Sequence, residues 1–277
     1  EMCIRDRPRF DPFLAADAPR RWINEGWIGG ATMYALLRAG GWPFLYAVFT
    51  VIYAATFLWV LYRGVAGLSG SWLAACVTAA LAFKMGQIHF LARPLIFNFL
   101  LFAVILLAAQ RLHRAARNGD HAEFQRLWRR AIWSLPALFV VWANIHPTFT
   151  AGWLLLVLLP FCLWVDRALL GRAAAQPGVE SRLWILAAAC GAATLINPNG
   201  ARLHAGILWL LRNDYAMRFF QEWQPPDFKG FEGRLFQIPP ALILAALVFG
   251  RPAKLQWRAF DIFPVLVFGH LALGAVR

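Results

Sequence analysis

Four groups of side chains carry enough chemistry to act on a ligand, and each stands at the edge of an apolar run. Glu25 lies in Trp22-Ile-Asn24-Glu25-Gly-Trp27. Partial desolvation there would raise its carboxyl towards the working range of a general base, the alternative being a solvated helix face. Lys84, His89 and Arg93 precede Pro94 at an apolar boundary. Cations near a membrane interior are costly, so they either face a partner in a wet cavity or snorkel to the headgroups. Asn144 and His146 occupy the tip between two apolar runs, where they can bond hydroxyls and carry a proton or simply satisfy backbone carbonyls. Glu222, Trp223 and Gln224, followed by Pro225, Pro226 and Asp227, form a Pro-stiffened loop suited to gripping a polar ligand, or to acting as an ordered lid.

The elements that must position these groups are apolar helices. The loop belongs to a polar island, 196–228, entered through Asn197-Pro198-Asn199-Gly200, a quartet that stops a helix and favours a turn. Beyond it Leu203, Ile207, Leu210, Leu211 and Met217 share one face, as in a helix lying flat in a lipid interface. Residues 9–41 form another interfacial stretch, with Ile23, Trp27, Tyr34 and Leu37 at helical spacing. Apolar runs at 42–62, 72–89, 94–110, 131–145, 148–165, 183–196, 235–249 and 260–276 predict about eight spans, several near the lower length for crossing. Alternation then puts 9–41, 84–93, 144–146 and the polar island on one outer side. The Arg-rich stretch 111–130, with His113 and His121 read as surface residues, falls inside.

The 277 residues are 60% apolar, with 14 Trp and 23 Phe and only 15% charged residues, which excludes a soluble domain and predicts an all-α polytopic membrane bundle. The formal charge of +13 is dispersed in short runs between spans. Membrane lipids are therefore the anionic partner, and no nucleic acid is expected. Glu1–Arg7 reads as translated adapter sequence, leaving one transmembrane domain over 8–277 that is expected to be truncated at both ends. Cys76, Cys162 and Cys190 each lie inside an apolar run and read as small buried hydrophobes. No HExxH, paired-Cys, Walker or GxGxxG pattern is present, so the sequence carries no cofactor signature.

Asp11-Pro12-Phe13, Trp22-Ile-Asn24-Glu25-Gly-Trp27, Arg93-Pro94, Trp142-Ala-Asn144-Ile-His146, Asn197-Pro198-Asn199-Gly200 and Gln221-Glu222-Trp223-Gln224-Pro225-Pro226 together resemble a largely uncharacterised group of bacterial multipass proteins. That group is similar to the GT-C superfamily of membrane glycosyltransferases, of the protein-mannosyltransferase and aminoarabinose-transferase type. The resemblance implies transfer of a sugar from a polyprenyl-phosphate donor, with inversion, at the outer face of the inner membrane. It also implies a carboxylate in the first outer loop, acting as base or as contact for a divalent metal, and places that loop upstream of the present sequence. Glu25 is then the nearest remaining carboxylate. Arg93 would fork the donor phosphate, with Lys84 as a secondary contact and His89 nearby. Lys84 lies about 13 Å from Arg93 on a continuous helix, unless Gly86 breaks it. Asn144 and His146 would meet sugar hydroxyls, Glu222 and Gln224 would orient an acceptor, and Trp223 would stack on a sugar ring. The polar island is expected to pack over 84–93 and 144–146 and so line one cavity. The rival expectation is a non-catalytic scaffold or a transporter of lipid-linked envelope precursors.

Overall fold

The computed structural model describes residues 25–87, 90–169, 177–213, 229–230, 234, 237–238, 240–242 and 258–273, which form helices and turns with no strand among them. One rod runs from α1 (Trp27–Ala54) through a π-helical stretch (Ala55–Leu61) into α2 (Tyr62–Ser69). It bends at Gly40 and Gly41, where the backbone leaves helical geometry. Pro43 follows the bend closely, so its missing N–H falls in the first turn of the resumed helix, where no bond is lost. The bend coincides with the boundary expected between an interfacial stretch and the first span, but helix continues on both sides of it.

Helix α3 (Trp72–Gly86) starts at Ser71, whose hydroxyl accepts the Ala74 N–H at 3.2 Å. It stops at Gly86, short of the His89 expected from the apolar run, so Lys84 and Arg93 do not share one helix. Helices α4 (Leu95–Arg117) and α5 (His121–Ala143) meet in the turn Asn118-Gly119-Asp120. Gly119 takes a left-handed φ of 69°, and the Asp120 carboxylate accepts the Glu123 N–H at 2.9 Å with Glu123 three places on, as in a capping box. The basic stretch 111–130 is therefore two helix ends and a tight turn, not a polar loop. Its arginines ride on one side while Leu112, His113, Ala116 and Phe124 face inwards. The expectation of a surface His113 is corrected accordingly: it is 3% exposed, its ring 4.9 Å from that of Phe260.

Helices α4, α5, α6 (Phe149–Ala168), α7 (Val179–Ala193) and α9 (Ala259–Leu273) share one core, centred on Phe139, Trp142, Leu155 and Leu159, and Leu203 and Ile207 of α8 (Ala201–Leu211) join it. A smaller aromatic cluster of Phe49, Tyr53 and Phe57 packs the rod against Ile96 at the start of α4. Among the described residues three helices, Trp27–Gly67, Leu95–Arg117 and Phe149–Ala168, are long and apolar enough to cross a membrane. Val51, Leu58, Trp59 and Trp72 are each about two-thirds exposed, which suits a lipid surround. Of the other expected spans, α3 and α9 are apolar but shorter, α5 and α7 are likewise not among the three, and most of 235–249 lies outside the described residues.

Helix α9 is fastened at its N-terminus. The buried Asp166 carboxylate of α6 accepts the Ala259 N–H at 3.1 Å, and Asp261 accepts the Arg258 N–H at 2.9 Å. A carboxylate is favoured there because the first N–H groups of a helix lack internal acceptors.

Candidate functional site

Asn144 ends α5, and its amide is buried between three segments. Its Nδ2 donates to the Val140 carbonyl at 2.8 Å and to the Ile196 carbonyl at 2.9 Å, and its Oδ1 accepts the Trp27 indole N–H at 2.6 Å. The Asn144 carbonyl accepts the Ile28 N–H at 3.0 Å. One residue thus ties the start of α1 and the end of α7 to the α5–α6 tip. Both side-chain donors are spent inside the protein, so Asn144 serves here as a positioning residue.

Glycine makes the approach possible. A Cβ on Gly26 would lie 2.4 Å from the Ile145 carbonyl oxygen, and one on Gly29 would lie 2.7 Å from Pro94 Cβ and 3.2 Å from that same oxygen. Gly29 therefore touches both the Arg93-Pro94 link and the 144–146 tip. Glu25 and His146 flank the Gly26–Ile145 contact and come to the same end of the molecule. Glu25 is half-buried, and burial raises its carboxyl above the ordinary 4.5. His146 is half-buried as well, and burial lowers its pKa below 6.5. Its Nδ1 accepts the Thr148 N–H at 3.3 Å, so the neutral ring carries its proton on Nε2. Arg93 is exposed in the turn opening α4, its N–H bonded to the Leu91 carbonyl at 2.8 Å. Lys84 is exposed on α3, its ammonium donating to Gln87 Oε1 at 2.7 Å.

The polar island begins against this tip. Asn197 closes its turn as expected, Nδ2 donating to the Thr194 carbonyl at 2.7 Å and Oδ1 accepting the Asn199 N–H at 2.8 Å. On α8, His204 Nε2 lies 2.8 Å from Thr194 Oγ1, and its ring stands edge-on to Phe149 at 5.5 Å. The sequence offers Trp27 only as an apolar position of an interfacial helix and part of a motif, not as a partner of Asn144, and it does not single out His204. His204 could have been noticed, since it adjoins Leu203 on the inward face of an apolar helix. His89, Glu222, Trp223 and Gln224 lie outside the described residues; of the packing expected between the island and the 144–146 tip, the described residues show the hydrogen bond from Asn144 to the Ile196 carbonyl.

Among the described residues no three His, Cys, Asp or Glu side chains gather as a metal-binding group. No family model, curated protein or solved structure matches the chain.

Proposed function

We propose that the protein is a GT-C-like, multi-pass transferase of the bacterial inner membrane, with about eight spans and its polar loops outward. It would move a sugar from a polyprenyl-phosphate donor to an envelope glycan or lipid. The supporting observation is the contact of Gly29 with both Pro94 and the Ile145 carbonyl, which brings a carboxyl, a guanidinium and an imidazole from distant parts of the chain to one end. In this reading the acceptor hydroxyl attacks the anomeric carbon and gives its proton to a carboxylate, for which Glu25 is the nearest candidate at this end. The bond from that carbon to the phosphate oxygen breaks, and the polyprenyl phosphate departs with its negative charge against Arg93, with Lys84 as the second contact. His146 donates through Nε2 to a sugar hydroxyl. His89, Glu222, Trp223 and Gln224 are the further donor and acceptor contacts this reading calls for, and they lie outside the described residues.

Arg93 gives the direct test. Arg93→Lys keeps the charge but loses the two-pronged geometry, and is expected to weaken polyprenyl-phosphate donor binding about tenfold; Arg93→Ala should weaken it further. Variants that insert normally and bind a lipid-phosphate donor like the parent would make Arg93 a headgroup anchor. The saturated amide of Asn144 favours the rival reading, a scaffold or transporter whose tip is structural. Glu25→Gln separates the two: the transferase loses turnover and keeps binding, whereas a scaffold shows donor binding without turnover in parent and variant alike.

A further inference from the structure

At the far end of α4 from Arg93, a cleft of about 340 Å³ opens between α2 and the α4–α5 turn. Its volume is at the small end of the range for small-molecule sites, about 300–1,000 Å³. The apolar stretch of α4 ends at Gln110. Arg111 and Arg114 follow one turn apart on the same side, and both line the cleft with Gly67, Asn118, Asp120 and Glu123. Arg114 Nη1 reaches the Gly67 carbonyl at 3.4 Å, which aims the guanidinium across the opening. A Cβ on Gly67 would meet nothing within 4 Å, so that wall is open. Two carboxylates also line the cleft, Asp120 accepting the Glu123 N–H and Glu123 paired with the Arg126 guanidinium.

We infer that this cleft binds the headgroup of a zwitterionic aminophospholipid, phosphoethanolamine on a diacyl lipid. The two lining guanidiniums stand on α4 and the two lining carboxylates at the start of α5, so these four residues carry no net formal charge and their two signs sit on different elements. A purely anionic headgroup would satisfy the arginines and meet the carboxylates unfavourably. A choline headgroup offers its cation without an N–H donor. The ethanolamine ammonium supplies three donors to Asp120 and Glu123, while the phosphate oxygens take the arginine forks. A lipid, rather than a soluble ligand, suits the position: the cleft opens where the apolar run of α4 ends, and Leu58 and Trp59, less than two turns before Gly64 on the rod, are about two-thirds exposed for acyl chains.

Native mass spectrometry of the full chain in detergent, offered ethanolamine, glycerol and choline phospholipids of identical acyl composition, tests the assignment. The ethanolamine lipid should be retained about tenfold better than either competitor, the scale of one charge-assisted contact. Changing Arg111 and Arg114 together to Ala should remove retention of all three lipids, and the double change to Lys should restore part of it, which separates lost binding from lost folding. Glu123→Gln, which keeps the capping geometry, should lower ethanolamine retention to the choline level. Equal retention of the glycerol lipid, or parent-like retention by the double Ala variant, would overturn the proposal. So would displacement of the lipid by free phosphoethanolamine at matched concentration, which would make the ligand a soluble one. Arg93→Ala should leave this retention unchanged, because that residue lies about 27 Å away along α4 or farther.

Discussion

Replacing Asn144 by Ala would leave the Ile196 carbonyl and the Trp27 indole N–H without their partner and withdraw a third bond from Val140. At about 0.5–1.5 kcal/mol for each net bond, more where a buried group stays unsatisfied, the expected loss is roughly 2–4 kcal/mol. Thermal unfolding in detergent would read it, with Trp27→Phe, which removes one bond, losing about 1 kcal/mol. His146 adds a pH dependence of definite sign. Its folded pKa lies below 6.5 through burial, so its contribution is fully present above 6.5 and is lost as pH falls through the folded value. Glu25 acts in the opposite sense: raised above 4.5, its contribution is present below 4.5 and is lost as pH rises through the folded value. His146→Gln should therefore flatten the acid limb of the stability profile and leave the Glu25 slope in place; an unchanged acid limb would show that His146 is not buried as described.

The contact between the start of α1 and the α5–α6 tip depends on two missing side chains, at Gly26 and Gly29. Gly29→Val would force branched carbons against Pro94 and the Ile145 carbonyl, costing about 1–3 kcal/mol, the usual range for overpacking. At Gly30 an added Cβ meets nothing within 4 Å, so Gly30→Val should cost far less. Similar losses in the two variants, read by the same melts, would contradict the packing. Much at this scale was legible in the sequence. The boundary near Gly41, the turn at Asn197-Pro198-Asn199-Gly200 and the apolar helices follow from backbone rules and composition. The α4–α5 turn was not read, because the density of arginine over 111–130 masked an inward face of Leu112, His113, Ala116 and Phe124. The site was legible as motifs and illegible as pairings: Trp27 meets Asn144 across 117 positions, and such separation leaves no local pattern.

For the molecule as a whole, α4 and α6 both run from the Arg93 end to the end holding the α4–α5 turn, so the two groups of polar residues should label from opposite faces of a membrane. Single cysteines at Pro147 and Asn199 should react with an impermeant reagent from one side and a cysteine at Gly119 from the other, once Cys3, Cys76, Cys162 and Cys190 are replaced. Reaction of all three from one side would refute the crossing arrangement. The fastening of α9 has a consequence for how the chain is made. Asp166 leaves the ribosome 93 residues before the amide it caps. At the usual rate of about 5–20 residues per second, α6 waits on the order of 5–20 s with that carboxylate uncapped. The interval imposes an order of assembly: the bundle of α4 to α7 must tolerate an open seam beside Asp166, and the seam closes only when the last described helix is delivered.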